Sequence, residues 1–150
     1  MNHPDRMRIE ITSDPRELPP VRETLREWLT ERGWAEHGSA DVVLALDEAL
    51  TNVVRHGYKS ELGRPIVVDV EPIAANERGP GVKVVIRDWA NQVPLEKICG
   101  RDLEDLRPGG LGVHLIRSLM DDACYEHAEG GGMRLTMSRH EQARDGHGKA

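Results

Sequence analysis

Phenylalanine is absent from this chain of 150 residues, and aromatic side chains make up only 3% of it. A core therefore has to be assembled mainly from Leu, Val, Ile, Met and Ala, which leaves little to spare. Cysteine is scarce: Cys99 and Cys124 lie far apart and without metal-ligand spacing, which argues against a disulfide framework. No charged-then-apolar leader precedes the first strand, and no apolar run approaches the roughly 20 residues that cross a bilayer. The expectation is a soluble, cytoplasmic protein with reduced thiols and no membrane contact. Excess positive charge is missing too. The formal net charge is -6, and no cluster of Lys and Arg interleaved with aromatics supplies the basic patch that a nucleic-acid backbone needs. Nucleic acid is therefore not expected as a partner, while a small anion held locally stays open. The length fits one domain with a single core, and no internal repeat is visible.

Several segments have clear periods. Arg6 to Thr12 alternates Met7, Ile9 and Ile11 against Arg8 and Glu10, which predicts an edge strand with one buried face. Asp14-Pro15 and Pro19-Pro20 punctuate a turn, and Val21, Leu25, Trp28 and Leu29 then predict an amphipathic helix that stops at Gly33. Ile66 to Val70 and Val82 to Asp88 predict two strands of a hairpin. Their connection, Glu71 to Gly81, has the Pro, Asn and Gly of an oversized turn. From Trp89 to Gly110 no period is sustained, and so long an irregular segment inside a compact domain points to a lid or a ligand-binding loop. Val113, Ile116 and Met120 predict a helix from Gly112 to Met120. Ala123 to Ala128 and Met133 to Ser138 predict a last hairpin, turned at Gly130-Gly-Gly132. Residues 1–139 are expected to form the domain, and the polar tail 140–150 is expected to be disordered.

The most informative stretch is Leu44 to Tyr58. Leu46, Leu50 and Val53 recur at helical spacing, Ser39 is a candidate N-cap for a helix from Asp41, and Gly57 is its natural end. Glu48, Asn52 and His56 are four residues apart, so a regular helix would stack a carboxylate, an amide and an imidazole on one face. That set suits a hydrated metal ion with a proton acceptor beside it. On the spacing alone, a solvated face with a C-terminal His favoured by the helix dipole stays open. Two further features accompany it. Arg107-Pro-Gly-Gly-Leu-Gly112 opens a helix, where close backbone approach and free N–H groups can receive phosphate, although plain loop geometry has the same composition. Asp88 ends an apolar strand, placed to accept a hydrogen bond from a ligand amino group or simply to cap a turn.

In this order and at these distances, the segments resemble the anti-sigma-factor serine kinases, a branch of the histidine-kinase-like ATPases with the Bergerat nucleotide-binding fold. The resemblance spans about Arg6 to Arg139. Leu46-Asp-Glu-Ala-Leu-Thr-Asn-Val-Val-Arg-His-Gly-Tyr58 stands as the N-box, Val84-Val-Ile-Arg-Asp88 as the first glycine box, and Gly110-Leu-Gly-Val-His-Leu-Ile-Arg-Ser-Leu-Met-Asp121 as the second. It implies an α/β (α+β) two-layer sandwich, with a mostly antiparallel sheet of about five strands covered on one face by three helices. It also implies ATP and Mg²⁺ as cofactors, Glu48 as general base toward a protein serine, Asn52 as Mg²⁺ ligand, and Asp88 as the adenine-recognising carboxylate. His56, Ala90, Gly109, Gly110, Leu111 and Gly112 are then expected to border the nucleotide. Arg107 is the candidate for the γ-phosphate, with a solvated loop Arg as the alternative. The implied partners are an anti-sigma-factor antagonist carrying the serine, a sigma factor or equivalent regulator, and a second copy of the chain.

The chain departs from the family pattern at Asp88-Trp89-Ala90, where Asp-x-Gly is usual, and at Asn91-Gln92-Val93-Pro94, where Gly-x-Pro-Phe is common. Ala90 puts a methyl group near the adenine position. Sensor histidine kinases need a dimerisation segment with a phosphoacceptor His, and gyrase-like and chaperone relatives need coupling domains. The expectation is therefore phosphoryl transfer to a separate protein, in a partner-switching pathway of transcription regulation. The alternative is a non-catalytic module that sequesters a sigma factor or other regulator with weak or no nucleotide binding. Ala90 favours that alternative; Glu48 and Asn52 oppose it. A plain structural domain would leave the polar helix face and the long loop unexplained.

Overall fold

The computed structural model describes residues 5–92, 94 and 110–143, with the side chains of residues 110–112 left aside. Five strands form one sheet in the order β1-β2-β3-β5-β4: β1 (Met7–Thr12), β2 (Pro65–Asn76), β3 (Gly79–Asp88), β4 (Asp122–His127) and β5 (Met133–His140). Every neighbouring pair is antiparallel. Alternation decides the faces: Ile66, Val68 and Val70 of β2, Val82, Val84 and Ile86 of β3, and Leu135 and Met137 of β5 all enter the core. The opposite face is polar and carries pairs such as Arg8–Asp69 and Lys83–Glu71. Helices α1 (Leu18–Glu31), α2 (Glu36–Asn52) and α3 (Gly110–Leu119) supply the other half of the core through Leu25, Leu29, Leu46, Leu50 and Ile116. The expected α+β sandwich with a five-stranded sheet is the observed one. Trp28, Trp34 and Tyr58 are buried in that core, so most of its aromatic bulk comes from these three side chains.

Four local expectations need correction. The β2–β3 connection is not oversized. Pairing continues past Val70 through Pro72↔Val82 and Ile73↔Gly81, with a register shift before Asn76↔Gly79. Turn composition misled here because β1 stops at Met7↔Val70, so the outer part of β2 is an edge, where a Pro lacking its N–H is tolerated. Ser39 is not the N-cap of α2 either. The helix starts at Glu36 after extended Ala35, and the backbone N–H of Ala35 donates to Glu141 Oε2 at 3.1 Å, an acceptor far away in sequence. Gly38 in that first turn is held close to the same segment, since a Cβ there would lie 2.7 Å from the Glu141 carbonyl oxygen. The Pro19-Pro20 pair lies inside the first turn of α1, where missing N–H groups matter least. Finally, α3 begins at Gly110 and not at Gly112.

The end of the sheet where β5 finishes is closed by Arg139, which is 3% exposed. Its Nη1 donates to Asp41 Oδ2 and to the Leu119 carbonyl, both at 2.8 Å, while Nε and Nη2 donate to the His140 and Glu141 carbonyls at 3.1 Å. One guanidinium thus ties α2, α3 and β5 together. Glu141 and Gln142 bond back through their N–H groups to Pro80 and Arg78; residues 144–150 of the tail lie outside the described residues.

Candidate active site

Two successive carboxylates on α2 have different surroundings. Asp47 turns to α1, where its Oδ1 accepts from Arg22 Nη1 at 2.7 Å. Glu48 is half-buried and makes no hydrogen bond or ion pair among the described residues. One turn on, Asn52 is partly exposed, yet its amide nitrogen is shut off from water and has no partner among the described residues. A buried donor left this way costs about 1–3 kcal/mol, which makes Asn52 a candidate for contact with a polar ligand. A half-turn of the amide exchanges nitrogen and oxygen, which lets that position present a donor or a hard oxygen ligand.

Beyond Asn52 the helix under-winds. Val53–Gly57 form a π-helical turn, closed by Tyr58 N–H to Val53 O and Ser60 N–H to Val54 O, both at 2.8 Å. Such turns recur at functional sites. The wider turn breaks the four-residue stacking expected of His56 on Asn52, and His56 is exposed.

Asp88 closes β3 and is 5% exposed. Its Oδ1 accepts the backbone N–H groups of Ala90 at 2.9 Å and Met133 at 3.2 Å, and Oδ2 has no hydrogen-bond partner among the described residues. Burial raises the Asp88 pKa above the ordinary carboxyl value, with the two N–H groups and Arg87 pulling the other way. The strand end and the β4–β5 hairpin approach closely because position 132 lacks a side chain. A Cβ on Gly132 would lie 2.0 Å from the Asp88 carbonyl oxygen, and its φ of +80 favours glycine as well.

Three side chains fasten the segment after Asp88. Tyr58 accepts the Trp89 N–H at 2.7 Å and donates its hydroxyl to the Pro65 carbonyl at 2.7 Å, and burial raises its pKa. Gln92 Nε2 donates to the carbonyls of Ala128 at 3.2 Å and Gly132 at 3.1 Å. The Arg87 guanidinium lies 4.2 Å over the Trp89 ring and donates from Nη2 to Gly131 O at 2.6 Å. Sequence reasoning passed over these fastening roles. An aromatic directly after a helix-ending glycine was the one available signal, and it pointed to Tyr58.

The Ala90 side chain is buried, and its methyl group lies 3.3 Å from where a Cβ on Gly57 would be. The departure from Asp-x-Gly is thus packed against the exit of α2. A cleft of about 250 Å³ is lined by Gly57, Tyr58, Lys59, Glu61, Arg64, Ala90 and Asn91. Gly110, Leu111 and Gly112 form the first turn of α3. Arg107 and Gly109, with the rest of the long loop apart from residues 89–92 and 94, lie outside the described residues.

A family model of the histidine kinase-like ATPase domain matches residues 11–139. Among curated proteins, the chain is 28% identical over 144 residues to the serine-protein kinase RsbW of Bacillus cereus, covering 92% of this chain and 86% of that protein. It is 27% identical over 137 residues to the serine-protein kinase RsbW of Listeria innocua, covering 88% and 86%. Among solved structures, a crystal structure of the RsbU and RsbW domains of a Mycobacterium tuberculosis protein superposes with a TM-score of 0.61 at 24% identity. That match covers 89% of this chain and about a third, 32%, of that larger one, and it shows the fold. With strand order, helix layer and the Asn52 and Asp88 segments in place, the family match covers nearly the whole described domain, and the chain belongs to the histidine kinase-like ATPase domain family, where it resembles the serine-protein kinases.

Proposed function

We propose that this protein is an ATP-dependent serine kinase and anti-sigma factor that phosphorylates an anti-sigma-factor antagonist in a partner-switching pathway. The observation that carries this is the pairing on α2 of an unpartnered, half-buried carboxylate, Glu48, with an orphaned amide, Asn52, one turn away. A clamp that only held a partner would need neither. Glu48 takes the proton of the attacking serine hydroxyl as the new O–P bond forms and the bond to the departing ADP breaks. Asn52 would hold Mg²⁺ through its side-chain oxygen. Among the described residues, no group of three or more His, Cys, Asp or Glu is placed to hold a metal ion. Asn52 alone fits the habit of Mg²⁺ of taking its remaining ligands from phosphates and water. Bound there, the ion supplies charge neutralisation for the transferring group. Asp88 accepts the adenine amino group on Oδ2, its other oxygen being held by two backbone N–H groups. Gly110, Leu111 and Gly112 offer the free N–H groups of the α3 start to the phosphates. His56 and Ala90 border the nucleotide in this reading, with Arg107 as the candidate γ-phosphate contact. The partners are the serine-bearing antagonist, a sigma factor or equivalent regulator, and a second copy of the chain, acting in the cytoplasm. No described helix is long and apolar enough to cross a membrane.

The test is intact mass after incubation with Mg-ATP and an antagonist protein from the same genome, with Glu48→Gln alongside wild type. Wild type is expected to add one phosphate to the partner. Glu48→Gln is expected to bind nucleotide and partner normally but transfer about 10²- to 10⁴-fold more slowly. Transfer by Glu48→Gln at the wild-type rate would refute the base assignment. A wild type that transfers nothing yet holds a sigma factor tightly would establish the sequestering module, for which the Ala90 methyl is the supporting observation.

A further inference from the structure

The peptide unit that follows Asp88 is held at both ends. Its N–H, on Trp89, donates to the Tyr58 hydroxyl at 2.7 Å, and its carbonyl, on Asp88, accepts from Arg87 Nε at 3.0 Å. The same hydroxyl donates to the Pro65 carbonyl at 2.7 Å, at the start of β2, where the next residue, Ile66, stands opposite Asp88 in register. A hydroxyl can accept from one backbone group and donate to another at once, which an apolar ring of the same shape cannot do. The Tyr58 ring is buried in the core, and its own N–H closes the π-helical turn on Val53. One side chain therefore joins the exit of α2, the start of β2 and the segment that leaves β3.

The join bears on Asp88 through the residue that comes next. Fixing the Asp88–Trp89 peptide directs the N–H that follows it, and the Ala90 N–H is what holds Asp88 Oδ1 at 2.9 Å. The other N–H on that oxygen comes from Met133 of β5, at 3.2 Å. With Oδ1 held on both sides, the direction of Oδ2 is set, and a group that recognises a ligand has to be kept within about 0.5 Å of its productive position. A hydroxyl serving stability alone would satisfy buried backbone groups wherever they fell; here one of them is the peptide that carries the Asp88 cap. We propose that Tyr58 is a positioning residue for base recognition: through this peptide its hydroxyl sets the angle at which Asp88 Oδ2 meets the amino group of adenine. This rests on the nucleotide site proposed above and names a source of its selectivity for a base that bears an amino group.

The test is Tyr58→Phe, read by calorimetry with ADP and with inosine diphosphate, which has an oxygen in place of the adenine amino group. Wild type is expected to prefer ADP, and Tyr58→Phe to lower that preference about three- to tenfold, chiefly through weaker ADP binding. Val21→Ala, a core truncation on α1, also lowers the melting temperature and is expected to keep the wild-type preference. Arg87→Met frees the other end of the same peptide while leaving the buried phenol in place, and is expected to lower the preference as well. An unchanged preference in Tyr58→Phe, or in Arg87→Met should Tyr58→Phe not fold, makes the hydroxyl a structural bond only and overturns the proposal. An equal loss in Val21→Ala overturns it too, because lost stability then accounts for the effect. If wild type binds both nucleotides alike, Asp88 does not read the base, and if it binds neither, the nucleotide site itself fails; in both cases the role of Tyr58 falls with that reading.

Discussion

Where β5 ends, Arg139 is almost fully buried and donates four hydrogen bonds, to groups on α2, α3, its own strand and Glu141 just beyond it. Where β3 ends, across the length of the same sheet, Asp88 keeps one oxygen uncommitted among the described residues, and the buried amide nitrogen of Asn52, at the last turn of α2, has no partner among them. Both ends bring polar groups out of water. For the Arg139 guanidinium the desolvation is offset by partners built into the chain, so that network fixes how the elements meet, although Trp34 Nε1 and Ser39 Oγ around the start of α2 are buried without partners among the described residues. At the Asp88 end it is not offset among the described residues, as the proposed nucleotide site requires.

The largest effect should come from breaking the closed end. Arg139→Met is expected to destabilise the fold by about 3 kcal/mol, the lower end of what loss of one partner of a buried pair does, because Asp41 keeps 26% of its side chain exposed. Denaturant unfolding checks this, and nucleotide affinity of the folded fraction should not change. Asn52→Ala should do the opposite: weaken Mg-nucleotide binding by roughly tenfold, a charge-assisted contact, while leaving unfolding stability level or slightly higher, because an orphaned buried donor is removed. A titration with and without Mg²⁺ reads both parts, and equal stability loss in the two variants would erase the contrast. The smallest effect is expected at Asp88→Asn. Burial raises the folded pKa of Asp88, so its favourable contribution is fully present below the unfolded value and is lost as pH rises through the folded one. The Asn variant should therefore gain stability relative to wild type as pH rises across that window. Melting curves from acid to neutral pH would show whether the gap opens in that direction.

The strands and helices with a clean period were legible without coordinates. β1 and β5 alternate strictly, and α1 has its apolar residues on one stripe, so elementary side-chain geometry places them. Glu48 and Asn52 were legible because both lie within the regular part of α2. His56 was not placed correctly relative to them, since a π-helical turn depends on how the helix exit packs and carries no local signature. The start of α2 was missed for a related reason: its backbone is met by Glu141, more than a hundred residues away. Gln92 and Gly132 escaped notice because their roles are defined by what lies opposite them in the folded structure, and a one-dimensional reading contains no opposite.

The contact between positions 57 and 90 makes the two positions a single variable. Ala90 brings a methyl group to 3.3 Å from the point where a side chain on Gly57 would begin, so the space between α2 and the strand end holds one such group comfortably and a second only if the backbone gives way. Effects of substitution at the two positions therefore should not add. An alanine at 57 will be judged harmful beside Ala90 and harmless beside a glycine, and a glycine at 90 will empty a space or create an opening according to what stands at 57. The departure at Ala90 is properly described as one half of a pair.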